Sequence, residues 1–329
     1  MSNTRSCLVS FVVPCYNYGR YLAECLNSIF SQDYICDFEV IVIDDGSIDN
    51  TQEVLRSFSD PRLRVIVHPV NRGHVITINE GLSLAQGDFI ARIDPDDRYR
   101  PYFLRTVLEK FNQYPEVGLV YGDVSLIDMH GCISLEQSDN VHGGKDFKGN
   151  EFVKLLERNF ICSPSVIARR EAWIQALPVP DGLAFHDWYF TLMIARKYEF
   201  YYVNKVIAEY RVHPHNYHTI IAKNKKEEES IFRLLDRIFA EVEADPQLEE
   251  QKQKARRRIY GTQYLDLGRK YFGFGMYADA RRCLLQAIRY RPRYFLCADV
   301  MRWLIATYIG RERYEMIKSS LRRLFPLRG

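Results

Sequence analysis

Four short apolar runs organise the first hundred residues: 8–14 (LVSFVVP), 38–43 (FEVIVI), 63–68 (LRVIVH) and 89–93 (FIARI). Each is rich in β-branched residues and too short to be a core helix. Helical patterns separate them: after the first run, Tyr21, Leu22, Cys25, Leu26, Ile29 and Phe30 recur at a spacing that puts them on one face. Near-continuous apolar strands are those covered on both sides, so strand alternating with helix predicts right-handed βαβ units and a mostly parallel sheet with helices on both faces. The chain is 329 residues long, which leaves room for a second domain.

Polar residues collect where these strands end: Pro14, Tyr16 and Asn17 after the first, Asp44 and Asp45 after the second, Arg72 after the third, and Asp94, Asp96 and Asp97 after the fourth. In a parallel sheet those ends share one edge, the edge where open α/β sheets bind ligands. Three carboxylates so close repel one another unless a cation or hydrogen-bond donors hold them, and a hard divalent ion carrying a diphosphate suits them. Read alone, the acids also fit a solvated Asp-Pro turn. Asp45 is placed to accept hydrogen bonds from a base or ribose, Tyr16 to stack on a base, and Arg72 to offset diphosphate charge. Capping, a half-buried ring and a solvated turn are the structural alternatives for these three. No G-x-G-x-x-G or P-loop signature is present, so neither a dinucleotide site nor a Walker-type site is supported.

The stretches VVPCYNYGRYLAECLNSIFSQDY, VIVIDDGSIDNT and NRGHVITINEGLSLAQGDFIARIDPDD together resemble the N-terminal half of the family 2 glycosyltransferases with the GT-A fold. The resemblance implies a Rossmann-like GT-A domain whose crevice binds a nucleotide-diphosphate sugar, and the expected donor is UDP-linked. It implies that Pro14, Tyr16 and Asp45 hold base and ribose, with Asn17 also in the donor site, that Asp94 and Asp96 form the family's D-x-D pair, and that Asp96, neighboured by Asp97, binds a manganese or magnesium ion. Further on, His186-Asp187 opens an apolar helical pattern, where the family places its catalytic base as the Asp of a Glu-Asp pair. His186 replaces the Glu, and Asp187 is the expected base of an inverting transfer. Tyr210, Arg211 and His213 match the family's Tyr-Arg-x-His segment, implying His213 as a metal ligand and Arg211 at the phosphates. His215 and His218 follow closely.

Residues 160–166 (FICSPSV) read as small residues beside an apolar strand, and 128–150, rich in Gly, Asp and His, as a loop over the cleft. The expected domains are a catalytic one over 1–222 and an all-α extension over 223–329. The first carries net −7 and the second net +10, so the basic tail is either a solvated helical face or a peripheral contact with an anionic membrane surface or a protein partner. Within the tail, Leu267, Gly268, Tyr271, Tyr277, Ala280, Leu284 and Pro292 resemble one tetratricopeptide helix pair. The eight cysteines form no metal-binding CxxC pair and read as reduced packing residues. With no apolar run of bilayer length, the expected location is cytoplasmic, including the inner face of the membrane. Expected partners are the nucleotide-sugar donor and a saccharide, lipid-linked or protein acceptor; nucleic acid is not among them, since the catalytic half is acidic. A nucleotidyltransferase and a non-catalytic nucleotide-sugar-binding platform are the rival functions. The first usually has a Gly-rich basic loop after its first strand, where this chain has PCYNYG.

Overall fold

The computed structural model describes residues 8–34, 36–138, 141–180, 182–213, 224–310, 313–314 and 316. The chain divides into two compact units, Met1–Leu155 with Asn159–Pro214, and Leu156–Arg158 with His215–Gly329.

The first unit is built on one mixed sheet. Strands β1 (Leu8–Cys15), β2 (Asp37–Asp44), β3 (Leu63–Val67) and β4 (Phe89–Arg92) alternate with helices α1 (Gly19–Phe30), α2 (Thr51–Arg56) and α3 (His74–Leu84). They lie in the order β3-β2-β1-β4 and all pair in parallel. The register sets Pro14 beside Ile43 and Cys15 beside Asp44, so the polar strand ends fall on one edge. Beyond β4 come β9 (Ile167–Arg169), β6 (Val117–Ile127), β10 (Glu199–Arg211) and β5 (Arg98–Tyr99). There β9 runs antiparallel to both neighbours, whereas β6 and β10 are parallel.

Alternation along β1 sends its side chains to two helical layers. Val9, Phe11 and Val13 join Leu22, Cys25, Leu26 and Ile29 of α1 and Phe103, Leu104 and Val107 of α4 (Phe103–Gln113) in one core. Val12 points the other way, where α3 lies so close that a Cβ on Gly81 would stand 2.5 Å from its Cγ1 and 3.2 Å from Ile43 Cδ1. Only glycine fits that approach. Helix α5 (Phe152–Glu157) precedes β9, α6 (Arg170–Ile174) and α7 (His186–Ala195) follow it, and Trp173 of α6 donates its indole N–H to Ile90 O of β4.

The small residues of 160–166 do lie beside a strand: Ser163–Ser165 form a 3-10 turn ahead of β9, where Pro164 lacks the N–H that a central strand needs. Within 128–150, short strands β7 (Ile133–Leu135) and β8 (Phe147–Gly149) add to the sheet by pairing with β6 and β10. Strand β10 runs unbroken from Glu199 into the Tyr210-Arg211 segment, and register shifts at Val203 and Val206 keep its two halves in one ladder.

In the second unit α8 (Lys226–Ala240), α9 (Pro246–Gly273), α10 (Tyr277–Tyr290) and α11 (Ala298–Ile309) are helical. Pro246 opens α9 and the Asp245 side chain caps it by accepting from Gln247 N. Residues that resembled a repeat form the α9–α10 hairpin: Leu267, Tyr271, Ala280 and Leu284 are buried, and a Cβ on Gly268 would meet the Leu284 side chain at 3.0 Å. Lys252 is fully buried, its ammonium donating to Ile238 O, Glu241 O and the Glu243 carboxylate, with the Glu249 carboxylate 2.8 Å away. No helix of the described residues is long and apolar enough to cross a membrane. Among the described cysteines, Cys15, Cys25 and Cys283 are buried and none is paired in a disulfide.

Candidate active site

The edge formed by the ends of β1, β2 and β4 gathers the expected polar residues. Asp45 is 2% exposed, and its carboxylate accepts from His68 Nδ1 at 2.6 Å, Arg72 N at 2.9 Å and Gly73 N at 2.9 Å. Burial works against its charge, but these donors prevail and hold its pKa below the ordinary aspartate value. A carboxylate has about four acceptor positions, so one remains for a ligand. Tyr16 is 41% exposed beside it, while Pro14 is buried in the β1 ladder. Asn17, at φ 58°, is a clamp: its N–H reaches Ser47 Oγ and its Oδ1 accepts from Ile48 N. Arg72 extends from the loop half exposed, its guanidinium meeting Glu80. Gly46, at φ +75°, turns the chain between these groups, where a Cβ would come within 2.7 Å of the Val70 backbone.

The second cluster follows β4. Asp94 is partly open to the crevice and bonded by Arg92, whereas Asp96 and Asp97 are buried. Asp96 Oδ2 lies 3.0 Å from His213 Nε2. Asp97 Oδ1 accepts from Arg211 N, and its buried Oδ2 has no hydrogen-bond partner among the described residues. Desolvation raises the pKa of both acids; for Asp97 the charges of Asp96 and Asp94 add to it, and for Asp96 the His213 bond opposes it. Asp96 and His213 offer one oxygen and one nitrogen of the kind a hard divalent cation takes, and the buried Asp97 Oδ2 is a third oxygen nearby in sequence, although among the described residues no group of three or more His, Cys, Asp or Glu side chains is gathered closely enough to hold an ion unaided. The pair fits such an ion when phosphate oxygens complete its shell.

Arg211 departs from the phosphate-facing role expected of it. It is fully buried, and its guanidinium donates to Asp96 O, Asp128 O and Glu24, so it braces the acid loop from behind. The braced arrangement also uses residues that sequence reading passed over. Tyr21 stacks on His213 at 5.7 Å and lies under the Arg211 guanidinium, Tyr18 flanks the same imidazole, and Glu24 joins Arg211 to Arg98. Their i, i+3, i+6 spacing on α1 was the available signal.

Asp187 stands in the first turn of α7 and accepts from Asn159 Nδ2 at 3.3 Å. It lines a small cavity with Arg92, Ser163, Trp173, Phe190 and Thr191. Arg92, 3% exposed, connects this cavity to the acid loop by donating to Ser163 and Asp94. Asp187 and the acids after β4 thus border the same region. His215 and His218 lie outside the described residues.

Residues 10–172 match the profile of glycosyl transferase family 2. An uncharacterized glycosyltransferase of Haemophilus influenzae is 30% identical over 190 residues, covering 56% of this chain and 70% of that protein. The chain belongs to glycosyl transferase family 2. This family 2 member is a glycosyltransferase, and another uncharacterized glycosyltransferase, from Nostoc sp., is 28% identical over 233 residues, 68% of this chain and 70% of its own length. Solved structures show the same fold across the chain. The mannosyltransferase PcManGT from Pyrobaculum calidifontis, in complex with GDP-Man and Mn2+, has a TM-score of 0.61 at 18% identity, covering 99% of this chain and 89% of that one. TarS residues 1–349 of S. aureus, in complex with UDP-GlcNAc, has a TM-score of 0.56 at 16% identity and 92% coverage of both.

Proposed function

We propose that this glycosyltransferase moves a sugar from a nucleotide-diphosphate sugar, UDP-linked, to a hydroxyl of a saccharide, lipid-linked or protein acceptor, with inversion and with a divalent cation, manganese or magnesium. The observation that carries the proposal is the shared edge: Asp45, the acids after β4 with His213, and Asp187 on the same side of one sheet. Donor complexes of the two solved neighbours, one holding Mn2+, support it.

Tyr16 stacks on the base, Asp45 accepts from base or ribose, and Arg72 and Asp94 lie toward the diphosphate and sugar. Asp96 and His213, with the buried Asp97, would hold the cation, which when bound would neutralise charge on the diphosphate. Asp187 takes the proton of the acceptor hydroxyl as its oxygen bonds to the anomeric carbon; the bond from that carbon to the diphosphate breaks, and its electron pair leaves with the nucleoside diphosphate. The fixed placement of base and donor supplies the rest of the rate through orientation.

Incubating the purified chain with UDP- and GDP-sugars, a panel of saccharide acceptors and Mn2+ or Mg2+, and separately with nucleoside triphosphates and sugar phosphates, with products read by mass spectrometry, tests this. Release of nucleoside diphosphate with sugar transferred is the expected result. Pyrophosphate release from a sugar phosphate and a nucleoside triphosphate would mean nucleotidyl transfer, and binding without turnover a non-catalytic platform.

A further inference from the structure

His74 is the first residue of α3 and His186 the first of α7, 112 positions apart, yet their Nε2 atoms lie 3.1 Å from each other with the rings edge to face at 4.5 Å. Two imidazole nitrogens at that distance attract only if one carries a proton and the other a lone pair. Arg92 decides which. Its Nη2 stands 3.3 Å from the same His74 nitrogen and has only protons to offer. His74 Nε2 is therefore the acceptor and His74 the neutral ring protonated on Nδ1, while His186 donates from Nε2. The guanidinium also disfavours a metal ion shared by the two rings, since a cation there would face a fixed positive charge.

The pair has a mechanical consequence. Arg72 and Gly73, immediately before His74, hold Asp45 through their backbone N–H groups, and Asp187 immediately follows His186. We propose that His74 and His186 are a positioning pair, tying the loop that grips Asp45 to the helix start that carries Asp187, so that donor binding and placement of the base are coupled. This rests on the functional roles of Asp45 and Asp187 under the transferase reading; the pairing itself does not.

The charged groups that face His74 are Arg92 from β4, Asp94 beyond it, Asp187 of α7 and Asp45 at the end of β2. His74 keeps part of its surface open to solvent, but the atoms packed about its ring desolvate it and, together with the charge of Arg92, push its pKa down, and the three carboxylates oppose this without overcoming it. A proton added to His74 Nε2 meets the N–H of His186 and the charge of Arg92, so acid breaks the pair.

Long-range proton–nitrogen NMR of the histidines in the intact chain tests the pairing without any donor. At pH 7 His74 is expected as the Nδ1-protonated tautomer, titrating well below an ordinary histidine, and in His186→Ala its midpoint rises by about one pH unit. A wild-type His74 that titrates as an ordinary histidine, or is indifferent to His186→Ala, overturns the pairing. The coupling is read from kcat and donor KM with UDP-GlcNAc and GDP-mannose as probes. His186→Ala should lose about 10-fold or more in kcat, whereas His186→Gln, whose amide N–H reaches the same nitrogen, should recover most of it and keep the acid limb of the pH profile, since His74 still titrates. Equal activity of the two variants overturns the coupling. Absence of turnover with every nucleotide sugar counts against the transferase reading, while the NMR titration still decides the pairing.

Discussion

Asp96 Oδ2 and His213 Nε2 meet at 3.0 Å across 117 positions of chain, bringing the acid loop after β4 against the end of β10. If this pair holds a divalent cation, Asp96→Ala should remove most of the Mn2+-dependent rise in melting temperature seen with a nucleotide. A ligand stabilises only in proportion to its binding of the native state. An unchanged Mn2+ response in the variant would place the ion elsewhere.

Asp97 gives a prediction of opposite sign. Burial and the charges of Asp96 and Asp94 raise its pKa well above the ordinary carboxylate value, so the native state holds this proton more tightly than the unfolded chain. Without a cation, stability should rise as the pH falls through that raised pKa toward the ordinary range, at about 1.4 kcal/mol per unit of displacement. Asp97→Asn keeps the acceptor for Arg211 N and removes the charge, and it should melt about 2–4 °C higher per kcal/mol in metal-free buffer. It should also lose the cation response. Calorimetry with and without Mn2+ at pH 5 and 8 reads both effects.

Asp187→Asn preserves the size of the side chain and its contact with Asn159 but cannot take a proton. Transfer should fall by ~10²–10⁴ while nucleotide affinity stays as in the wild type. Stopped product assays and nucleotide titration separate the two, and near-normal turnover would assign the base elsewhere.

In the helical unit, Lys252→Met should be severe. It removes the donor shared by the buried Glu243 carboxylate and the Ile238 and Glu241 carbonyls, a loss of about 3–5 kcal/mol for a broken buried pair. Urea unfolding followed by helical circular dichroism measures it.

The parallel half of the sheet was legible because β1, β2 and β4 are apolar on both faces and each ends in polar residues, a pattern that needs no distant information. The reversed strand β9 was not: three residues beside Pro164 carry no direction, and β4 and β6 supply it by pairing. Asp45, Asp96 and Asp187 could be singled out from short motifs. The real position of Arg211 could not, because its acceptors are two backbone carbonyls and Glu24 from distant segments. His186 stood out as a departure from the family's Glu, but its partner His74 is visible only once α3 and α7 are side by side.

Arg211 reaches back 114 residues to Asp97, 115 to Asp96 and 187 to Glu24. Loops that long close slowly, after the local strand and helix pairs have formed. The carboxylates are therefore among the last groups to find their places: a nascent chain can assemble its apolar layers early and still have no organised catalytic edge until β10 threads in beside β6.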